Sequence, residues 1–156
     1  QVTDGAAAVL LMSEQSALAE GQQPLAFLRA AEFAAIDPAD GLLMAPAVAV
    51  PRLLSRTGIA FDDVDLIEIH EAFAAQVLAN ALAWERGWRG PALGSIDWDQ
   101  VNVTGSSLAI GHPWSATGGR VITTLANEMV RRDASYGLVS ICAGGGMAGA
   151  LLLERS

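Results

Sequence analysis

At 156 residues, with 52% hydrophobic and 17% charged side chains, the chain is long enough for one domain with a substantial core, or one domain plus part of another, and its composition excludes a disordered polymer. Nine Arg and no Lys stand against seventeen Asp and Glu, a formal charge of −8, which works against nucleic acid or an anionic membrane surface as partner without a local basic patch. One cysteine excludes an intrachain disulfide, and no apolar run is long enough to span a bilayer, so a soluble protein of the reducing cytoplasm is expected.

The first residues, Gln1-Val2-Thr3-Asp4-Gly5, have no initiator Met and run straight into an apolar stretch, so the chain is expected to begin in mid-protein. Residues 6–12 read as a buried strand and 13–20 as a short helix, with Ser13 as N-cap and Gly21 as its stop. Residues 25–36 fit either a strand or a helix, and the strand is preferred. Residues 47–57 read as a helix in which Pro51 belongs near the first turn, because deeper inside it removes a hydrogen bond and clashes; Gly58 ends it.

Residues 64–69 then predict a strand and 71–84 a helix, followed by a linker carrying Gly87, Gly90, Pro91 and Gly94. This puts His70 at a strand-to-helix junction, with Phe73 and Val77 as core and Glu71 as a first-turn acid. Met44, Trp84, Trp88 and Met147 read as core or loop packing. A helix over 115–131 places Val121, Leu125 and Met129 on one buried face, and Arg131-Arg132 at its end complements the dipole. Residues 138–142 and 147–153 are two strands separated by little more than glycines, which makes them antiparallel neighbours. Strands alternating with helices and closing in a hairpin predict a layered α/β fold, with helices on both faces of the sheet.

Three stretches carry chemistry. In Gly111-His112-Pro113 the imidazole precedes a helix start, where the positive end of the dipole favours the neutral ring; the other reading is a histidine satisfied by a loop carbonyl. Cys142 ends a buried strand and precedes Gly144-Gly145-Gly146, whose amide N–H groups, unshielded by side chains, can face a developing oxyanion. There the thiol is a nucleophile, a proton donor and acceptor, or a buried structural residue. His70 is a third candidate. Two histidines and one cysteine match no zinc-ligand spacing, so no metal is expected.

Together, His-Glu-Ala-Phe at 70–73, Asn-Val-Thr-Gly with Gly-His-Pro across 102–113, and Cys-Ala-Gly-Gly-Gly at 142–146 resemble the C-terminal half of a thiolase. Asp4-Gly5-Ala6-Ala7-Ala8 and Ser-Ala-Thr-Gly-Gly-Arg at 115–120 are similar to further signatures of that family, in the same order, so the resemblance covers essentially the whole chain.

The resemblance implies an α/β, thiolase-like layered fold. Residues 1–21 would be the last strand and helix of the N-terminal domain and residues 22–156 the C-terminal βαβαβαββ half. It implies an acyl-CoA C-acyltransferase that cleaves 3-oxoacyl-CoA with CoA to acyl-CoA and acetyl-CoA, or runs the reverse Claisen condensation, with CoA thioesters as substrates and no cofactor. The acyl-accepting cysteine of the family would lie upstream of Gln1, so this chain alone is expected to be inactive.

Residue by residue, His112 would activate that cysteine and bond a thioester carbonyl, and Cys142 would move the α-proton. The backbone N–H of Gly144 would serve a second oxyanion hole. His70, where many thiolases carry Asn, looks like the thiolases of the β-oxidation trifunctional complex. The implied partners are an N-terminal thiolase half, further copies in a homo-oligomer and a hydratase/dehydrogenase subunit. Two departures from the pattern are Ser106-Ser107, where small residues, often glycines, are usual, and the bulky Trp114 after Gly-His-Pro, which would narrow the acyl or pantetheine channel. A thiolase-like module that only binds or assembles, and a thioesterase or amidase using Cys142 as nucleophile, are the alternatives.

Overall fold

The computed structural model describes residues 2–155. Ser13 caps the short helix α1 (Glu14–Ala19), its hydroxyl accepting from the Ser16 N–H at 3.1 Å, and Gly21 follows with φ +64°. The ambiguous stretch is a strand, β1 (Phe27–Ala35). Next come α2 (Pro46–Thr57), β2 (Leu66–Ile69), α3 (Ala74–Arg86), the single-turn α4 (Ser107–Ile110), the long α5 (Trp114–Arg132), β3 (Tyr136–Ala143) and β4 (Met147–Glu154).

The four strands form one sheet in the order β1-β4-β3-β2. β4 is antiparallel to both β1 and β3, whereas β2 runs parallel to β3, so the chain must cross over between them. On one face α2 lays Val48, Val50, Leu53 and Leu54 against Ile67, Ile69, Leu138 and Leu152, and α3 adds Val77 and Trp84. On the other, α5 lays Val121, Leu125 and Met129 against Leu66, Val139 and Leu153, the stripe its spacing predicts. The approach is close: a Cβ on Gly137 would sit 2.5 Å from Met129 Sδ and 3.0 Å from Leu125, so glycine lets α5 settle onto β3.

The turn between β3 and β4 has a similar demand. Gly145 and Gly146 take φ of +93° and +76°, and a Cβ on Gly146 would stand 2.5 Å from the Ile36 carbonyl oxygen. The Gly146 N–H donates to Leu42 O at 3.1 Å and its carbonyl accepts from the Ile36 N–H at 2.8 Å, tying the glycine turn to the end of β1. The C-terminal arginines of α5 do more than face the dipole: both pair with the carboxylate of Glu128, with Arg131 Nε and Arg132 Nε each at 3.0 Å.

Several sequence expectations need correction. Residues 6–12 are irregular and exposed rather than a buried strand, and they pair with no strand of the sheet. The segment instead crosses α5, where a Cβ on Gly119 would lie 2.9 Å from that of Ala7. Pro51 is the sixth residue of α2, well past its first turn, because Pro46 already occupies the helix start. The missing N–H and ring clash, costing ~3 kcal/mol, are tolerated because Val48, Val50, Leu53 and Leu54 are buried on the same helix.

The helix expected from Glu71 begins at Ala74, since Glu71 is engaged elsewhere, and Phe73, its extended N-cap, is exposed rather than core. Between α3 and α5, where the βαβαβαββ pattern calls for a strand, the chain makes one parallel bridge, Val101 to Ile67. Asn102 then turns away with φ +47°, which ends the ladder.

Candidate active site

The parallel strands β2 and β3 finish side by side. The His70 N–H, one residue past β2, donates to Ser140 O at 2.8 Å, so His70 and Cys142 belong to the same end of the sheet. The loop between α4 and α5 brings His112 to that end, and the two rings meet with centroids 4.2 Å apart at an interplanar angle of 43°. Two histidines separated by 42 positions thus become neighbours within the crossover between β2 and β3, one just past β2 and the other just before α5.

Each ring is anchored by one nitrogen. His70 Nδ1 is 2.8 Å from Ser107 Oγ, and His112 Nδ1 is 2.7 Å from Thr117 Oγ1. Ser107 opens α4 and Thr117 stands in the first turns of α5, both almost fully buried. Ser107 Oγ also accepts from Arg120 Nη2 at 2.9 Å. Trp114 is mostly exposed and stacks on His112, with centroids 6.2 Å apart and planes 18° from parallel. An open cleft lined by residues 2–7 and 113–116 lies alongside.

The loops that carry these anchors are themselves clamped. Asn102 Nδ2 donates to Ile69 O at 3.0 Å and its Oδ1 accepts from the Ile69 N–H at 2.7 Å, so its side chain pairs with β2 as a strand would. The same amide donates to Glu71 Oε1 at 2.7 Å, and Glu71 Oε2 accepts the Leu108 N–H at 3.0 Å. Glu71 is therefore a tie between the end of β2 and the start of α4, not a first-turn acid.

Burial decides the protonation states. His70 is pushed down to about 4, first by burial and then by the charges of His112 and Arg120, and His112 is lowered too, with burial again the leading cause. Both rings are neutral at pH 7. Burial pushes the Cys142 thiol up to about 11, so it too is neutral. Glu68, on β2 beneath the site, is pushed up to about 8 by burial, the nearby Arg120 pulling it part of the way back.

These shifts have opposite consequences for stability. Between about 4 and 6.5 the unfolded chain takes a proton on His70 that the folded chain refuses, so the histidine makes stability fall as pH falls through that window. Between 4.5 and about 8 the folded chain keeps a proton on Glu68 that the unfolded chain releases, so the carboxyl makes stability fall as pH rises. The two slopes oppose each other up to 6.5, and from there to about 8 Glu68 acts alone. Denaturant unfolding across that upper window is expected to show a loss of about 2 kcal/mol, absent in Glu68→Gln; an equal loss in the variant would refute the assignment.

The structure therefore brings His70 and His112 into contact and sets Cys142 and Gly144 at the same end of the sheet, with no hydrogen bond between Cys142 and either imidazole among the described residues. Ser107, Thr117, Arg120, Asn102 and Glu71 carry the site's support. Four of them lie inside the quoted motifs, but their partners are 5 to 37 residues away, and spacing alone does not announce such pairs.

The sequence model described as Thiolase, C-terminal domain, matches residues 22–155. A 3-ketoacyl-CoA thiolase of Pseudoalteromonas atlantica is 48% identical over 98% of this chain and 37% of its own length, and one of Yersinia pestis matches to the same extent. The chain thus spans little more than a third of these relatives. Among solved structures, an acetyl-CoA acetyltransferase of Bacillus anthracis superposes with a TM-score of 0.80 at 38% identity, over 92% of this chain and 34% of that one. The chain belongs to the thiolases, an acyltransferase family, and carries the family's C-terminal domain.

Proposed function

We propose that this chain is the C-terminal part of a thiolase of fatty-acid β-oxidation, which cleaves 3-oxoacyl-CoA with CoA or runs the reverse condensation. The observation that carries the proposal is the pair of neutral imidazoles in ring contact, each anchored through Nδ1 with Nε2 left for a ligand. Cleaving the bond between Cα and the 3-carbonyl of a 3-oxoacyl thioester leaves an electron pair on the acetyl thioester as an enolate. Neutral donors converging on the thioester oxygen stabilise that charge without competing for a proton of their own.

His70 and His112 are those donors, and His112 also activates the acyl-accepting cysteine supplied by the N-terminal half. The Cys142 thiol protonates the leaving enolate; in synthesis its thiolate removes the α-proton. The raised thiol makes its thiolate a strong base while keeping the resting group protonated, which suits the donor step and argues against a resting nucleophile. A Cβ on Gly144 would meet nothing within 4 Å, which supports room for an oxyanion beside its backbone. Trp114, stacked on His112, borders the path of the acyl or pantetheine chain.

In this reading residues 1–21 belong to the preceding domain and 22–156 form the C-terminal one. Leu10, Leu11 and Leu18, each more than 70% exposed, support a covering partner for the first segment. The N-terminal half, further copies in a homo-oligomer and a hydratase/dehydrogenase subunit are the proposed partners, in the cytoplasm. No helix among the described residues is long and apolar enough to cross a membrane.

The test compares residues 1–156 alone with the complete enzyme, using acetoacetyl-CoA and CoA and following loss of the 3-oxo thioester. The chain alone is expected to be inactive and the complete enzyme active, with His112→Ala lowering its rate at least ~100-fold. Thiolysis by the chain alone, abolished by Cys142→Ala, would overturn the proposal.

A further inference from the structure

We propose that Ser107 and Arg120 are positioning residues that fix the tautomer of His70, holding its proton on Nε2 so that this nitrogen acts only as a hydrogen-bond donor. The inference deepens the proposed function and rests on it for the meaning of the site, but its geometry stands separately.

Ser107 Oγ has two partners: His70 Nδ1 at 2.8 Å and Arg120 Nη2 at 2.9 Å. A hydroxyl owns one proton and two lone pairs, and a guanidinium can only donate. The bond from Arg120 therefore occupies one lone pair and leaves the hydroxyl proton to be placed. If Ser107 donates it to His70 Nδ1, the hydroxyl and Nδ1 are both satisfied, and the imidazole proton must be on Nε2. If His70 Nδ1 instead keeps its proton and donates, the Ser107 proton is stranded at a residue 1% exposed, with no further partner within hydrogen-bond distance among the described residues. Buried polar groups are rarely left so.

Arg120 reinforces the preference. A cation bonded to the hydroxyl oxygen draws electron density from it and strengthens the O–H as a donor towards Nδ1. The rest of the guanidinium is not spoken for: Arg120 Nε and Nη1 are buried without partners, as is Oε2 of Glu68. Among the direct hydrogen bonds of the described residues, the one to Ser107 is therefore what holds this side chain in place. Ser107 is fixed in turn by its position at the start of α4, which Glu71 holds through the Leu108 N–H.

His112 is built differently. Thr117 Oγ1 meets its Nδ1 without any cation on the hydroxyl, so that contact lacks the reinforcement Arg120 gives Ser107.

Nitrogen-15 correlation spectra of the histidine side chains, recorded on the 156-residue chain near neutral pH, test this without any turnover. His70 is expected to show a bare Nδ1 and a protonated Nε2. Ser107→Ala is expected to lower the ratio of the Nε2–H to the Nδ1–H form by about fivefold or more, and Ser107→Thr, which keeps the hydroxyl, to restore it. A protonated Nδ1 in the unaltered chain overturns the proposal, as does an unchanged ratio in Ser107→Ala; if that variant does not fold, the spectrum of the unaltered chain decides. Unchanged thiolysis by a His70→Ala complete enzyme would instead count against the proposed function and leave the tautomer assignment standing.

Discussion

Cys142→Ala in the complete enzyme is expected to lower thiolysis of acetoacetyl-CoA by about 100- to 10,000-fold, the range over which a positioned proton-transfer group contributes. The side chain is almost fully buried at the end of β3, in register with Ala148 across the hairpin, and replacing it by Ala removes a single heavy atom, the sulfur. The fold should therefore persist, and the loss should appear as a fall in kcat with little change in KM, because the thiol acts in the transition state rather than in binding. Cys142→Ser keeps a hydroxyl in place of the thiol, but an alcohol is a far weaker acid, so little recovery is expected. Single-turnover measurements sharpen the test: acyl transfer to the cysteine of the N-terminal half should be slowed with the overall rate. Full turnover in Cys142→Ala would end the assignment of this thiol to proton transfer and leave it as a structural residue.

The largest stability effect should come from Trp84. Trp84→Ala is expected to destabilise the chain by about 3–5 kcal/mol, lowering the thermal midpoint by roughly 10 °C. The indole is fully buried, packs edge-on to Phe61 with centroids 6.2 Å apart, and donates from Nε1 to Pro46 O at 3.1 Å. It thus joins α3 to the first turn of α2, beneath the helix that Pro51 has weakened. Trp84→Phe keeps most of the ring volume and loses the hydrogen bond, so about 1–2 kcal/mol is expected. If Trp84→Ala unfolds with the midpoint of the parent, the contact between α2 and α3 does not support the sheet as described.

Periodicity was enough for elements whose burial repeats along a single segment. The stripe Val121, Leu125, Met129 announces α5, Ser13 and Gly21 bracket α1, and glycines between two apolar runs make β3 and β4 a hairpin. Local rules failed where a distant partner decides. Pro51 is tolerated inside α2 because a sheet lies under the helix, and residues 6–12 read as a strand although they pair with none of the sheet's strands. Glu71 was legible as an acid near a helix start, but its real partners, Asn102 in a loop and the Leu108 N–H in α4, lie more than thirty residues on.

The candidate site divides along the same line. The sequence by itself singled out the candidates for the chemistry, because His112 beside Gly and Pro, Cys142 before three glycines and His70 after an apolar strand are each unusual in their own few residues. It also determined the family, through motifs in a recognisable order. Only the tertiary structure decided that the two imidazoles touch, that burial rather than the helix dipole leads in keeping them neutral, and that Ser107 and Arg120 stand behind one of them. The physical reason is range. Backbone preferences and caps act over a few residues and are written locally, whereas desolvation and side-chain hydrogen bonding depend on which segments the crossover between β2 and β3 brings together.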